Sequence, residues 1–346
     1  MSLARLLGSD LPIIQAPMAG SQNHRLAAAV CKAGALGSLP AAMLSASALA
    51  EEISALRGLT EAAFNLNFFC HRSPSPDTAR EQLWLQTLAP YYQKFQLTPP
   101  TIPSSPARLP FNEDSCQIVE RFKPAVVSFH FGLPEADLLE RVRQSGARII
   151  ASATCVAEGL WLQAQGVDAV IAQGLEAGGH RGHFLSDDLT LQLPTLALVP
   201  QLVRALNVPV IAAGGIFDRA TVRAALNLGA AGVQVGTAFL TSPQASTSAV
   251  HRAALQSPAA QHTALTNLFS GRPARGIVNR LMCELGPLYE HAPAFPLASN
   301  ALAALRSTSE AENSGDFSPL WAGQNAPLCQ PMCAQALVAE LAKGLL

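Results

Sequence analysis

Charged side chains are scarce: Asp, Glu, Lys and Arg make up only 14% of the 346 residues, and the net charge is −1. With 23 basic residues against 24 acidic ones and no basic block, the chain has no electrostatic footprint for nucleic acid or an anionic membrane, so neither is expected as a partner. No apolar run is long enough for a transmembrane helix, and the N-terminus does not read as a signal peptide. The seven cysteines are odd in number and irregular in spacing. Only Cys329 and Cys333 lie close together, and no histidine pair near them completes a zinc pattern, so no metal is expected. Reduced thiols in a cytoplasmic protein are the expectation. No G-x-G-x-x-G run follows the first apolar segment, which argues against a Rossmann dinucleotide site.

What the chain does have is apolar bulk, 49% hydrophobic residues, enough for a large core. It is dealt out in eight short runs: Ile13–Gln15, Leu36–Ser38, Ala63–Leu66, Ala125–Ser128, Arg148–Ser152, Ala169–Ala172, Val210–Ala213 and Gly232–Val235. Ala-rich amphipathic stretches separate most of them, such as His24–Ala33, Ala48–Leu56, Glu135–Ser145, Val156–Gln165 and Arg219–Leu228. Strand–helix alternation predicts parallel strands covered by helices. Eight repeats predict closure into a (β/α)8 TIM barrel over residues 1–242, with an open doubly wound sheet as the alternative. A proline-rich insertion at about 68–124, holding one helix near Thr78–Phe95, interrupts the rhythm. Residues 243–322 read as mainly helical and irregular, with Gly271–Gly276 as a polar loop, and 323–346 end in a helix over Ala336–Leu345.

The strand ends carry the chemistry. Residues 176–183 read Glu-Ala-Gly-Gly-His-Arg-Gly-His directly after a strand. Gly178 and Gly179 let backbone N–H groups approach a ligand. His180 is placed to act as base or electrostatic partner. Gln173 offers an amide that both donates and accepts. Arg181 and His183 read as loop or rim residues. Gly214-Gly215 and Gln234-Val235-Gly236-Thr237 fall after the seventh and eighth strands, where barrels of this kind often hold phosphate through backbone N–H groups and a hydroxyl. Ala16, Pro17 and Met18 end the first strand, and Asn67 places an amide at another rim or in an Asx turn. His130, alone between aromatics, reads as structural.

Together, Ile13–Met18, Phe64–Asn67, Val126–Gly132, Gln173–Gly182, Val210–Ile216, Val233–Phe239, Ser270–Asn279 and the string Trp321-Ala322-Gly323-Gln324 resemble the FMN-dependent nitronate monooxygenases, formerly called 2-nitropropane dioxygenases. The resemblance implies a barrel with a smaller, mainly helical domain over its C-terminal rim, and FMN across the strand ends. It implies that Ala16, Pro17 and Met18 run beside the isoalloxazine and that Asn67 and Gln173 bind its ring or ribityl side. Gly178 and Gly215, within the pairs Gly178-Gly179 and Gly214-Gly215, would approach through backbone amides. Gln234, Val235, Gly236 and Thr237 would hold the phosphate, and His180 matches the catalytic histidine. Ser270–Arg275 would lie at the substrate rim. The implied reaction is oxidation of an alkyl nitronate, such as propionate 3-nitronate, or of a nitroalkane, with O2, to a carbonyl compound and nitrite. An FMN-dependent enoyl-acyl-carrier-protein or quinone reductase, and a flavin-binding protein without turnover, are the alternatives. Oligomeric state is not legible.

Overall fold

The short apolar runs become strands because both their faces are covered. The computed structural model describes residues 1–75, 77–101 and 108–346, so position 76 and residues 102–107 of the proline-rich insertion lie outside the described residues. In it, β1 (Ile13–Gln15), β2 (Gly37–Pro40), β3 (Phe64–Phe69), β4 (Val126–His130), β5 (Arg148–Ala153), β6 (Ala169–Gln173), β8 (Val210–Ala213) and β9 (Gly232–Val235) form one parallel sheet. Between β6 and β8 the chain also makes the two-residue strand β7 (Gly179–His180). The order β1-β9-β8-β6-β5-β4-β3-β2 follows the chain around a ring. A parallel bridge from Ile14 to Leu36, with Gln15 N–H donating to Leu36 O at 2.9 Å, brings the two ends together as a barrel rather than an open sheet.

Alternation along each strand sorts the side chains. Ile14, Val126, Ile150, Ile171 and Ile211 pack inside the barrel, where Leu3, Leu6 and Leu7 of the helix Leu3–Leu7 join them. Their neighbours Ile13, Val127, Ile149, Val170, Val210 and Val233 belong to the layer shared with the outer helices. Where a helix presses closely, only glycine fits: a Cβ on Gly37 would collide with the Ala27 carbonyl and stand 2.8 Å from Cys31 Sγ. The helix Ala334–Ala342 closes the chain by burying Leu337, Val338 and Leu341 against the same layer.

The rest of the molecule has its own core. Trp84, Leu88, Tyr91 and Tyr92, on the helix Thr78–Lys94 of the insertion, pack with Leu268, Phe269, Leu281, Leu302, Leu305 and Phe317. Trp84 Nε1 donates to Ala298 O at 3.1 Å, and Tyr91 Oη donates to Glu284 Oε2 at 2.6 Å. The insertion therefore supplies one wall of the cover formed by the later segment. It also holds a second helix, Glu113–Phe122, capped by Asn112, whose side chain accepts from Ser115 N, with acidic Glu113 and Asp114 in its first turn. The stretch read as a polar loop contains a strand instead. β11 (Ala274–Ile277) pairs antiparallel with β10 (Thr263–Thr266) on one side and with β7 on the other. Arg275 looked like a loop residue because of its charge, yet it is buried and donates to Leu175 O. No helix among the described residues is long and apolar enough to cross a membrane.

Removing the largest side chain of the second core tests this division of the packing. Trp84→Ala should cost about 3–5 kcal/mol, the usual range for emptying a buried Trp site. Hydrogen exchange should accelerate over Thr78–Lys94 and Leu297–Ala311 while β4, β5 and β6 stay protected; equal loss of protection in the barrel strands would contradict it.

Candidate active site

The C-terminal ends of the barrel strands open into a cavity of about 260 Å³ beneath the second core. One half is a cradle of backbone. Ala16, Pro17 and Met18 run past the end of β1, with Ala16 N–H donating to Val235 O at 2.7 Å. Gly214 and Gly215 follow β8 with φ of +118° and +72°, a conformation that glycine adopts without strain. Gln234, Gly236 and Thr237 line the same wall. Gln234 Oε1 is buried there with no hydrogen-bond partner among the described residues. Val235 is the exception among the expected contacts. Alternation along β9 turns its side chain away from the cavity into the outer layer, and only its backbone serves the cradle.

A late segment completes this half. Gly323 N donates to Thr237 Oγ1 at 2.9 Å, Gln324 N to Glu176 O at 3.0 Å, and Asn325 Nδ2 to Gly215 O at 2.6 Å. This crossing explains Gly178 by packing: a Cβ there would stand 2.6 Å from the Ala322 carbonyl carbon and from Gly323 N. Gly179, at φ +74°, has open space where a Cβ would be.

The other half surrounds His180. Its carbonyl is held by two side chains. Gln173 Nε2 donates to His180 O at 2.9 Å while Gln173 Oε1 accepts from Gly182 N at 2.7 Å. His130 Nε2 reaches the same His180 carbonyl at 3.1 Å, and its Nδ1 lies 3.1 Å from Ser152 Oγ. His130 is thus satisfied, as expected, but it also lines the cavity. Asn67 sits within β3 rather than in a turn and donates through Nδ2 to Ser128 O and Oγ at 3.2 and 3.0 Å. The imidazole of His180 is boxed by Phe69, Phe131, Phe295 and Trp321, with ring centroids 5.3–6.0 Å away. Its Nε2 lies 2.8 Å from Ser270 Oγ.

Arg181 and His183 are not rim residues. Arg181 is fully buried, and its guanidinium donates to Gln192 Oε1, Gly174 O and Gln173 O at 2.7–2.8 Å. His183 is buried beside it. The carboxylate of Glu158, also buried, fixes the loop beyond by accepting from Phe184 N at 2.6 Å and from Thr154 N and Oγ1. Residues of this kind announce themselves poorly in a sequence, since a charged residue in a loop is ordinarily solvated. Phe295, Arg108 and Arg306, which also belong to the site, come from irregular segments with no distinguishing pattern.

Electrostatics around His180 are one-sided. Burial, the Arg108 guanidinium, and then His130, Arg272 and His71 hold its pKa well below the usual 6.5. Burial likewise pushes His130 down to about 3 and His71, His183 and His251 to about 4. His180 is therefore an uncharged imidazole near neutral pH, able to accept a proton but carrying no charge of its own. Arg108 lines the same cavity and supplies positive charge beside it, whereas Arg306, also on the lining, is paired with Glu310 at 2.8 Å.

Known proteins resemble the whole of this arrangement. A family model described as nitronate monooxygenase matches residues 2–344. The nitronate monooxygenase of Paraburkholderia phytofirmans is 44% identical over 99% of this chain and 94% of its own length. That of Pseudomonas aeruginosa is 43% identical over 99% and 98%. Among solved structures, a nitroalkane oxidase from Streptomyces ansochromogenes superposes with a TM-score of 0.88 at 36% identity, covering 99% of each chain.

The buried histidines predict how stability responds to acid. His71, His130, His183 and His251 stay neutral in the fold but titrate near 6.5 when unfolded. Below that value the unfolded chain binds more protons than the native one, so stability is full above about pH 6.5 and falls as pH drops. The loss should be ~1.4 kcal/mol per pH unit for each histidine until its folded pKa is reached. Urea midpoints measured from about pH 7 to about pH 5 should decline steadily; a flat profile would refute the burial of neutral imidazoles.

Proposed function

The chain belongs to the nitronate monooxygenase family, and on that premise we propose that it oxidises alkyl nitronates with O2 to carbonyl compounds and nitrite, using FMN. The observation that carries this reading is the juxtaposition, in one cavity, of a glycine-rich backbone cradle with an uncharged, aromatic-boxed His180. The cradle suits FMN on its own chemistry. Gln234 Oε1 lacks a donor that a ribityl hydroxyl or a ring N–H would provide. Thr237 Oγ1 already accepts from Gly323 N, which leaves its own O–H to donate to a phosphate oxygen. Gly214, Gly215 and Gly236 permit backbone N–H groups to approach that phosphate. Ala16, Pro17 and Met18 would lie along the ring system, Asn67 and Gln173 would meet its polar edge, and Gly178 and Gly179 would pass close beside it. Bound FMN would supply the electron-accepting chemistry and the route to O2.

The protein's own groups do the remaining work. Phe69, Phe131, Phe295 and Trp321 pack around His180 and give its ring apolar neighbours. The neutral imidazole removes the α-proton of a nitroalkane, whereas a preformed nitronate needs no such step. Arg108 favours an anion, which suits a nitronate. Seven free thiols fit a cytoplasmic setting.

Purified protein should be yellow and release FMN, and it should consume oxygen when given nitronates. FAD, or a colourless protein that ignores added FMN, would overturn the cofactor assignment. Rapid anaerobic bleaching by NADH without nitronate turnover would shift the reading to a reductase. Gly215→Val and Gly236→Val should each weaken FMN binding by about 2–4 kcal/mol, the scale of losing hydrogen bonds to a charged group. Unchanged flavin affinity in two folded variants would move the phosphate elsewhere.

His180→Asn tests the histidine itself. It should keep fold and FMN yet lose turnover of neutral nitroalkanes by about 10²–10⁴-fold, with a smaller loss on preformed nitronates. Equal losses on both substrates would reduce His180 to an electrostatic or positioning group.

A further inference from the structure

The ring of His180 has two nitrogens in different surroundings. Nε2 faces Ser270 Oγ at 2.8 Å, whereas Nδ1 has no partner among the described residues and is left to the cavity that the ring lines. An uncharged imidazole has one N–H and one lone pair, and the bond made at one nitrogen decides which role falls to the other. The choice here rests with Ser270, whose single proton has two acceptors in reach. These are His180 Nε2 and, at 3.2 Å, the carbonyl of Arg272. Among the described residues no other donor reaches the Arg272 carbonyl, and Arg272 N–H lies 3.4 Å from Ser270 Oγ as a donor, so the local turn already orients the hydroxyl with its proton toward that carbonyl.

We propose that Ser270 is a positioning residue: its hydroxyl donates to the Arg272 carbonyl, accepts the Nε2–H of His180, and so leaves His180 Nδ1 as the proton acceptor facing the substrate. This rests on the nitronate monooxygenase reading for its chemistry but not for its geometry. In the step concerned, the α C–H bond of a neutral nitroalkane breaks and its proton passes to Nδ1. The electron pair of that bond becomes the C=N bond of the nitronate, and negative charge moves to the nitro oxygens. As Nδ1 gains its proton, Nε2–H remains hydrogen-bonded to Ser270, so the imidazolium forms with both nitrogens as donors and Ser270 Oγ already in place.

The backbone makes the serine's position dependable. Ser270 stands four residues before Ala274, which pairs with His180 itself in the ladder between β11 and β7, and Arg275 pairs with Gly179. Arg181 N donates to Pro273 O at 2.8 Å, one residue before the ladder begins. Serine and histidine are thus held by two strands that are hydrogen-bonded to each other.

Nitrogen-15 NMR of histidine-labelled holoenzyme reads the tautomer directly, with His180→Asn identifying the signal by its loss. The wild-type protein should show His180 protonated at Nε2 and bare at Nδ1. Ser270→Ala should mix the two tautomers and lower kcat on a neutral nitroalkane tenfold or more, within the ceiling of about 10⁴ known for a catalytic histidine in the wrong tautomer. Its turnover of the preformed nitronate should stay within about threefold, because that substrate has no proton to give. A wild-type His180 protonated at Nδ1 overturns the proposal, as does a Ser270→Ala enzyme with unchanged tautomer, or with equal losses on both substrates. Wild-type holoenzyme inactive on nitroalkanes and nitronates alike would instead defeat the functional reading, and the NMR result would still decide the tautomer.

Discussion

The guanidinium of Arg181 is the interaction on which the rest of the site depends. It is fully buried, faces no carboxylate within ion-pair distance, and spends its donors on Gln173 O, Gly174 O and the side chain of Gln192. Burial and the neighbouring Arg275 lower its pKa to about 9, with Glu176 and Glu158 opposing at longer range. Those two backbone carbonyls belong to the turn where β6 ends; Gly174 O also accepts from Ala177 N at 3.1 Å, whereas Gln173 O takes its side-chain donor from Arg181. A buried charge whose partners are removed typically costs about 3–5 kcal/mol, so arginine and turn are mutually obligatory. The side chain of Gln173 then acts on the far end of the same loop, holding His180 O and Gly182 N. Arg181 and Gln173 together tie the chain from Gly174 to Gly182, which includes β7, back onto the end of β6.

The second consequence is electrostatic. Arg181, Arg272 and Arg108 lie close to the site, while the carboxylates of Glu158 and Glu176 are engaged by backbone N–H groups and hydroxyls and that of Glu310 is paired with Arg306. The cationic surplus has two effects that work together. Arg108 and Arg272 make a proton on His180 unwelcome, and they make an anion beside it welcome. On the role proposed for His180, forming a nitronate beside it would supply both at once, because the new anion would offset the repulsion felt by the new imidazolium. Proton transfer would then be tied to the appearance of the anionic product.

The barrel was legible because its signal is local. Runs such as Ala169–Gln173 and Val210–Ala213 are apolar throughout and bounded by glycine or polar residues, and a parallel strand covered on both faces demands that pattern. The Gly-Gly-His loop was legible for the opposite reason, as a cluster that packing alone does not call for. What escaped the sequence depends on distant partners. The helix Thr78–Lys94 could be seen, but its place could not, since Trp84 finds Ala298 more than two hundred residues later. Arg181 and Arg275 looked solvated because charge predicts exposure, whereas both are consumed by buried carbonyls. Val235 was grouped with its neighbours in a phosphate motif, and strand alternation separates it from them.

The cover over the site is part of the catalytic scaffold. β11 belongs by sequence to the later segment, and its partners are β10 in that segment and β7, the strand that carries His180. Moving this strand away would break the pairing of Ala274 with His180, the Arg181–Pro273 bond and the Ser270–His180 contact together. Each of these bonds is modest when exchanged with water, about 1 kcal/mol, but each is expensive to leave unmade inside an apolar box. The histidine, its serine and the β11 strand therefore form one unit. Phe295 and Trp321 pack against His180 from the later segment, so these aromatic walls come from chain that is continuous with the strand pairing with β7. Backbone pairing and aromatic packing around His180 thus come from one piece of structure, and the second core built on Trp84 holds that piece in place.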